Sequence, residues 1–210
     1  MARLTRSESR QKTRERLLDA AKDAFTREGY AGASVDVIAE GAGFSKGAFY
    51  SNFESKEAIF LELLERHMSE EVAISSGFAP AEASAEEAIE SIAERYASDP
   101  VDLDWCLLSI EFALHATRSA AFAARRTELF ARHYDAVAEI ITAIAAKAKA
   151  EVADPARSAA IFIALRQGMA LERSQPEPAI SADDVKSTLS RWMRELIGLP
   201  SPQRANDPAR

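Results

Sequence analysis

Several residue types and segments are scarce in this chain of 210 residues, and each scarcity excludes a class of protein. The single cysteine, Cys106, cannot form an intrachain disulfide, which excludes a disulfide-stapled secreted domain. No apolar run reaches the roughly 18 residues that a membrane-spanning helix needs, and the amino terminus lacks the apolar core of a signal peptide. We therefore expect a cytoplasmic protein without a membrane segment.

Patterns of catalysis and metal binding are also missing. There is no nucleophile elbow, no paired-carboxylate signature and no cysteine–histidine motif. Glu111 and His115 lie four residues apart on one helical face, but no second histidine or cysteine pair completes a metal set. We predict no catalytic residue, no metal and no cofactor. A helical enzyme remains an alternative, and its turnover would depend on Glu111 or His115.

Taken as a whole, the chain has no excess of basic residues, although many DNA-binding proteins do. The net charge is −7, but residues 1–68 hold 11 basic and 11 acidic residues, whereas residues 69–210 hold 15 and 22. The acidic excess therefore belongs to the carboxy-terminal part. Arginines and lysines dominate the first 20 residues, so residues 1–9 are interpreted as a flexible basic arm near phosphate or, alternatively, as a disordered solubilising tail.

What the chain does contain is a short helix, a glycine turn and a second short helix in residues 34–57. Ser34 is placed to cap a first helix over about 35–40, and Ser45 is placed to cap a second over about 46–52. Gly41 and Gly43 lie between them, where the chain must reverse. This order is typical of a helix-turn-helix reader of DNA.

The second helix presents residues suited to nucleic acid. Small residues at its start, Gly47 and Ala48, allow close approach to base edges. The outward-facing donors for phosphates or bases are Lys46, Tyr50, Ser51 and Asn52, and Lys56 begins a further helix whose amino-terminal end suits another phosphate. The plainer alternative is that Tyr50 covers the core with its ring and the lysines are solvated surface charges.

Residues 11–66 resemble the DNA-binding domain of the TetR (tetracycline repressor) family of bacterial regulators. The resemblance is carried by TREGYAGASV at 26–35, IAEGAGFSKGAFYSNF at 38–53 and SKEAIF at 55–60. It implies an all-helical homodimer, with a three-helix reader and a helical domain that binds a small molecule. It also implies phosphate contacts by Ser34, Ser45, Tyr50 and Lys56, with Lys46 and Gly47 at the mouth of the groove. Asn52 departs from the histidine that many members carry.

Helical periodicity and capping signals extend along the remaining chain, so we predict an all-α fold. Helices are expected at about 10–28, 56–72, 84–97, 100–117, 119–150, 155–174 and 182–197. The predicted divisions are a basic arm at 1–9, the reader at 10–55, a connecting helix at 56–74, a ligand-binding and dimerisation domain at 75–199 and a disordered tail at 200–210. A Ser-, Gly-, Pro- and Ala-rich linker is expected at 75–85.

The carboxy-terminal helices carry aromatic residues beside isolated polar groups, which suits a small apolar or aromatic effector between helices. The candidate ligand-binding residues are Trp105, Leu108, Glu111, Phe112, His115, Phe130, His133, Tyr134, Phe162, Arg166 and Met169. Each ring has the alternative of being plain core, and each histidine that of an ordinary core or surface residue. The candidate dimer interface comprises Ile163, Leu189, Trp192, Met193 and Leu196.

These expectations combine into a ligand-responsive transcriptional regulator. The resemblance implies a repressor that binds a palindromic operator as a homodimer and is released by a small-molecule inducer. The alternative is a helical small-molecule-binding protein without DNA regulation, which would show no salt-dependent affinity for duplex DNA.

Overall fold

The computed structural model describes residues 5–78, 80, 82–98, 100–117 and 120–200, and within these ranges it contains helices and no strands. The predicted all-α fold is thus confirmed. The helices are α1 (Arg6–Gly32), α2 (Val35–Gly41), α3 (Lys46–Tyr50), α4 (Lys56–Gly77), α5 (Ala85–Ser98), α6 (Pro100–Ala116), α7 (Ala120–Lys147), α8 (Pro155–Arg173) and α9 (Ala182–Leu196). In the described residues, no helix is both long and apolar enough to cross a membrane.

The first helix begins earlier than the sequence analysis predicts. Thr5 and Glu8 form a reciprocal capping box, which starts α1 at Arg6, so residues 6–9 of the predicted flexible arm are helical. Gly29 interrupts the helix with φ of 71° and ψ of 170°, close to the predicted end at 28. The other predicted arm residues, 1–4, lie outside the described residues, as does the predicted tail from 201 onward.

The fourth helix continues to Gly77, so the predicted linker was wrong in starting at Ser75. Ser75 is buried, and its hydroxyl lies 3.1 Å from the Tyr96 hydroxyl, which gives this turn of the helix a packed partner. Tertiary packing of this kind outweighs the weak helix propensity of a Ser- and Gly-rich segment. Similarly, α3 ends at Tyr50 rather than Asn52, and Ser51 is its C-cap.

The described residues form two compact units that are not contiguous in sequence. The first unit contains the chain up to Ser69 together with Asp104–Leu129, and the second contains Glu70–Leu103 together with the chain from Phe130 onward. A single boundary at residue 75 therefore does not separate the two units, because each consists of two segments of the chain. The segment Asp104–Leu129 clusters with the helix-turn-helix part of the chain.

An aromatic cluster forms the core of the first unit. Phe60 of α4 packs edge-on against Phe25 at 4.9 Å between ring centroids and stacks on Phe112 of α6 at 4.5 Å. Tyr30 packs edge-on against Phe60 and Phe112. The side of α1 that faces this cluster is apolar and buried, and it includes Leu17, Ala21, Ala24 and Phe25. These contacts hold α1, α4 and part of α6 together by burial of aromatic surface.

The second unit has an aliphatic core between α5, α7, α8 and α9, and α5 packs along α9. This packing corrects part of the predicted dimer interface. Ile163, Leu189 and Met193 are at most 5% exposed and face the core of their own chain. Trp192 and Leu196 are partly buried against the same core. The apolar stripe on α9 packs on the core of its own chain, where α5 is its main neighbour.

Candidate nucleic-acid interface

Two serine caps define the helices of the helix-turn-helix. The Ser34 hydroxyl accepts a hydrogen bond from the Val37 amide at 3.2 Å, and the Ser45 hydroxyl accepts one from the Ala48 amide at 3.2 Å. Each cap satisfies a backbone donor that the first turn of a helix leaves without a helical partner. Both predicted caps are confirmed, and both serines remain exposed.

The turn between α2 and α3 depends on Gly43. Its φ is 74°, a left-handed conformation that costs an L-residue about 1 kcal/mol or more. A Cβ at this position would also lie 3.1 Å from Nη2 of Arg16. That arginine sits over the Phe44 ring, with 4.9 Å from Cζ to the ring centroid. Arg16 of α1 thus packs against the turn between α2 and α3.

The exposed surface of α3 carries the residues predicted to contact DNA. Tyr50 is 51% exposed, although its ring packs edge-on against the buried Phe49 at 5.5 Å. The Lys46 ammonium pairs with the Asp36 carboxylate at 2.9 Å, and this hydrogen bond raises the pKa of Lys46. Ser51 donates its hydroxyl to the Gly47 carbonyl at 2.8 Å. Gly47 is exposed and Ala48 half-buried, so the two residues that follow Lys46 present no bulky side chain.

Asn52 and Lys56 have structural partners of their own. The Asn52 amide donates to the Ala48 carbonyl at 2.8 Å. The Lys56 ammonium donates to the Tyr30 carbonyl at 2.8 Å and to the Ala33 carbonyl at 2.9 Å, and burial lowers its pKa. An ammonium group has three donors, so one N–H of Lys56 is left beyond these two bonds. Lys56 therefore connects α4 to the end of α1, and this structural role does not depend on a phosphate contact.

Two arginines of α1 hold the end of α3, a role that the sequence analysis missed. Arg10 donates to the Ser51 carbonyl at 3.2 Å and Arg14 donates to the Asn52 carbonyl at 2.5 Å. Arg14 also lies over the Phe53 ring at 4.0 Å and pairs with Glu62 of α4. Cations at a helix carboxyl end offset its partial negative charge. Basic residues near the amino terminus are thus committed to positioning α3.

Residues of α6 contact the helix-turn-helix part of the chain within the first unit. Glu111 accepts a hydrogen bond from the Tyr30 backbone amide at 2.7 Å, and His115 lies 3.6 Å from the Glu57 carboxylate and packs against the Tyr30 ring. Both residues line an open groove of about 510 Å³ with Tyr30, Lys56 and Leu114. Phe112 is fully buried in the aromatic cluster.

The predicted ligand-binding residues are therefore distributed over both units. Those in the first unit are Trp105, Leu108, Glu111, Phe112 and His115, and those in the second are Phe130, His133, Tyr134, Phe162, Arg166 and Met169. Trp105 stacks on His67 at 4.6 Å between ring centroids. Phe130, His133 and Arg166 are buried, whereas Tyr134 and Met169 are partly buried.

A small cavity lies in the second unit beside a buried ion pair. It offers about 20 Å³ to a water molecule, room for about one, and its walls are mainly aliphatic, with Phe162 at one side. Glu71 also lines it and pairs with Arg166 at 3.0 Å. The Tyr96 hydroxyl donates to Glu71 at 2.6 Å, and burial raises the pKa of Tyr96. Burial lowers the pKa of nearby His133.

Comparison with known proteins assigns the helix-turn-helix segment. Residues 17–63 match the family described as bacterial regulatory proteins, tetR family. The resemblance to the TetR family is confirmed. The relatives include the uncharacterized HTH-type transcriptional regulator YdgC of Bacillus subtilis, 48% identical over 52 residues that are 25% of this chain and 27% of that protein.

Two further comparisons extend beyond the reader. The HTH-type transcriptional repressor AcnR of Corynebacterium efficiens is 27% identical over 116 residues, which cover 55% of this chain and 57% of that protein. A Saccharomonospora viridis protein solved in complex with choline matches with a TM-score of 0.71 and 20% identity, covering 88% of this chain and 96% of that one. This second match shows the fold. The chain spans between about a quarter and three fifths of these two curated relatives.

Proposed function

We propose that this chain is a transcriptional repressor that binds a palindromic operator as a homodimer and is released by a small-molecule inducer. The observation that carries the proposal is the exposed surface of α3 in the TetR-family segment. Lys46 and Tyr50 lie on this helix, which is capped by Ser45 at its start and held by two arginines at its end. The amino-terminal residues of a second helix in this motif contact base edges in the major groove.

The distribution of charge supports this reading of the first helices. Residues 1–68 are neutral overall, while the acidic excess lies beyond them, so the reader is not repelled by DNA as the whole-chain charge of −7 suggests. On α3 the Tyr50 hydroxyl is placed to donate to a phosphate, as are the Ser34 and Ser45 hydroxyls. Phosphate contacts fix the register of the protein on the duplex, and Lys46 at the start of the helix supplies base readout.

A homodimer is supported by the outer surface of α8. Ile161 and Leu171 are 43% and 46% exposed, and nothing lies within 4 Å of a Cβ built on Gly168 between them. Large exposed apolar residues beside a small one suit close approach of another helix. Partly exposed Trp192 and Leu196 of α9 are further candidates. A two-fold dimer places two readers about one turn of DNA apart, which requires a palindromic operator.

An apolar or aromatic effector is assigned to the second unit. The cavity beside Glu71 and Phe162 holds about one water molecule, so an effector has to separate the surrounding helices to enter. A ligand that binds only the opened arrangement shifts the population toward it, and couplings of about 1 to 3 kcal/mol are typical of such responses. Arg166 and His133 are close to this region through their interactions with Glu71.

The test begins with selection of binding sequences from a randomised duplex library by the purified protein. We expect a palindrome whose half-sites lie about 10 base pairs apart. Fluorescence anisotropy then compares the parent with Tyr50→Phe, which should bind all duplexes about tenfold more weakly because a bond to a charged phosphate is lost. A Lys46→Met variant removes a surface lysine from α3. Its matched control is Lys22→Met, which removes an exposed lysine from α1.

Failure has a distinct signature for each part of the proposal. If no sequence is enriched and duplex affinity does not fall with salt, the chain is a helical binding protein that does not read DNA. If DNA binds but sedimentation shows a monomer, and Ile161→Glu or Leu171→Glu changes nothing, the assigned dimer surface is wrong. A library of neutral apolar and aromatic compounds that never releases the DNA would contradict the induction step.

A further inference from the structure

Asp36 and Lys46 form an ion pair between the two helices of the helix-turn-helix. The Asp36 Oδ2 and Lys46 Nζ atoms are 2.9 Å apart, and both side chains are more than half exposed. Asp36 lies in the first turn of α2, and Lys46 is the first residue of α3. The pair is thus on the surface that starts the recognition helix.

Helix stability alone does not account for a lysine at this position. The amino end of a helix carries partial positive charge and favours acidic residues, yet the first turn of α3 has Lys46 and no acid. Asp36 supplies the missing negative charge from α2. Residues that break a local rule in this way are most often found at functional sites.

The pair also changes how Lys46 can meet DNA. An unpaired surface lysine is attracted to any phosphate and so adds affinity without regard to sequence. With one N–H donated to Asp36, the ammonium keeps two donors, enough for the O6 and N7 acceptors of a guanine. Asp36 retains acceptor capacity for a cytosine amino group.

We propose that Asp36 is a positioning residue that sets sequence specificity, because it directs the Lys46 ammonium toward base edges and away from phosphates. This inference rests on the proposed DNA-binding function. Opposite a wrong base the charged pair has no hydrogen-bond partners in the groove, which weakens binding to that sequence. The pair as a whole carries almost no net charge, so it adds little attraction to the phosphate backbone.

The experiment measures affinity by fluorescence anisotropy over a range of salt concentrations, with the selected operator and a scrambled duplex. The variants are Asp36→Asn, Asp36→Glu, Lys46→Met and the double variant Asp36→Asn with Lys46→Met. Asp23→Asn, which removes an exposed carboxylate from α1, is the control for a simple change of net charge. Circular dichroism melting verifies that each variant is folded.

For Asp36→Asn we expect tighter binding to the scrambled duplex and a salt dependence steeper by about one phosphate contact, a slope change of about 0.9. The ratio of operator to scrambled affinity should fall at least fivefold. Asp36→Glu should restore that ratio in part, and Asp23→Asn should leave it unchanged. In the Lys46→Met background the Asp36 substitution should have little further effect on the salt slope.

Three results would overturn the assignment. Equal operator-to-scrambled ratios in the parent and Asp36→Asn would show that the carboxylate does not set specificity. A change of the same size in the Lys46→Met background, or in Asp23→Asn, would show that it acts through general repulsion. A parent that binds neither duplex would overturn the DNA-binding proposal and this inference with it.

Discussion

The Glu111 carboxylate accepts a hydrogen bond from the Tyr30 backbone amide at 2.7 Å, across 81 residues of sequence. This contact closes the break in α1, because Gly29 immediately before Tyr30 leaves the helical conformation. A carboxylate from α6 thus accepts the hydrogen bond that the carbonyl four residues earlier accepts in an unbroken helix. The amino-terminal reader and α6 are joined at this point within one compact unit.

We predict that Gly29→Ala lowers the free energy of unfolding by about 1 to 3 kcal/mol. With φ of 71° and ψ of 170°, Gly29 occupies a region that is essentially restricted to glycine. The new Cβ would also lie 3.0 Å from the Glu111 Oε1 atom. Urea denaturation measures the loss. Gly32→Ala is the control, because its Cβ would meet only a side-chain carbon at 3.3 Å and its φ is not positive.

The backbone strain at Gly29 and the close approach to Glu111 can be measured separately by repeating the substitution in a Glu111→Ala variant. In Glu111→Ala the close approach is removed while the backbone strain stays, so Gly29→Ala should cost less there than in the parent. A loss as small as that of Gly32→Ala in both backgrounds would mean that the break in α1 is not constrained.

We predict that Arg14→Lys destabilises the first unit by roughly 1 kcal/mol and weakens DNA binding. Arg14 bonds the Asn52 carbonyl, pairs with Glu62 and covers the Phe53 ring with one planar group, which an ammonium cannot do at once. The end of α3 should therefore lose its fixed position. Urea denaturation and anisotropy measure the two effects, and Arg27→Lys, an exposed arginine on α1, is the control.

A different outcome is that Arg14→Lys is as stable as the parent but binds DNA more weakly. It would assign Arg14 to a phosphate rather than to α3. Unchanged values in both assays would contradict the positioning role altogether.

The local signals in this chain were sufficient to predict the reader, whereas its long-range contacts were not predictable. Ser34 and Ser45 act on amides three residues away, so their caps could be inferred from the order of residues alone. The partners of Arg14 and Glu111 are 38 and 81 residues distant, and nothing in the spacing of the residues specifies them. The sequence alone therefore does not predict that Arg14 holds the end of α3.

The burial of α9 is a second case in which the sequence does not identify the packing partner. Leu189 and Met193 lie on a clear apolar stripe, but periodicity reports that a face is buried and not which surface covers it. In the structure that surface is the core of the same chain. Exposed Ile161 and Leu171 gave no periodic signal of comparable strength, because α8 is apolar on more than one side.

We predict that stability falls as the pH drops through about 6.5, the ordinary pKa of an unfolded histidine, and that His133 contributes to this loss. Burial lowers the pKa of His133 in the folded chain, so the unfolded chain binds the proton more readily. The stability contribution is present above the unfolded pKa and is lost as the pH falls toward the folded one. Urea denaturation at pH 7.5 and 5.5 compares the parent with His133→Gln, which should lose less. Equal losses would contradict the assignment.

We predict that Arg166→Met alone destabilises the second unit by about 3 to 5 kcal/mol, because it removes the guanidinium that pairs with the buried Glu71 carboxylate. Arg166 and Glu71 are both at most 7% exposed, so bulk water does not screen the charge that remains. The double variant Glu71→Gln with Arg166→Met should recover most of that loss, since it removes both charges and keeps an acceptor for the Tyr96 hydroxyl. Urea denaturation of the parent, both single variants and the double variant closes the cycle. Additive losses would mean that the two side chains do not stabilise each other.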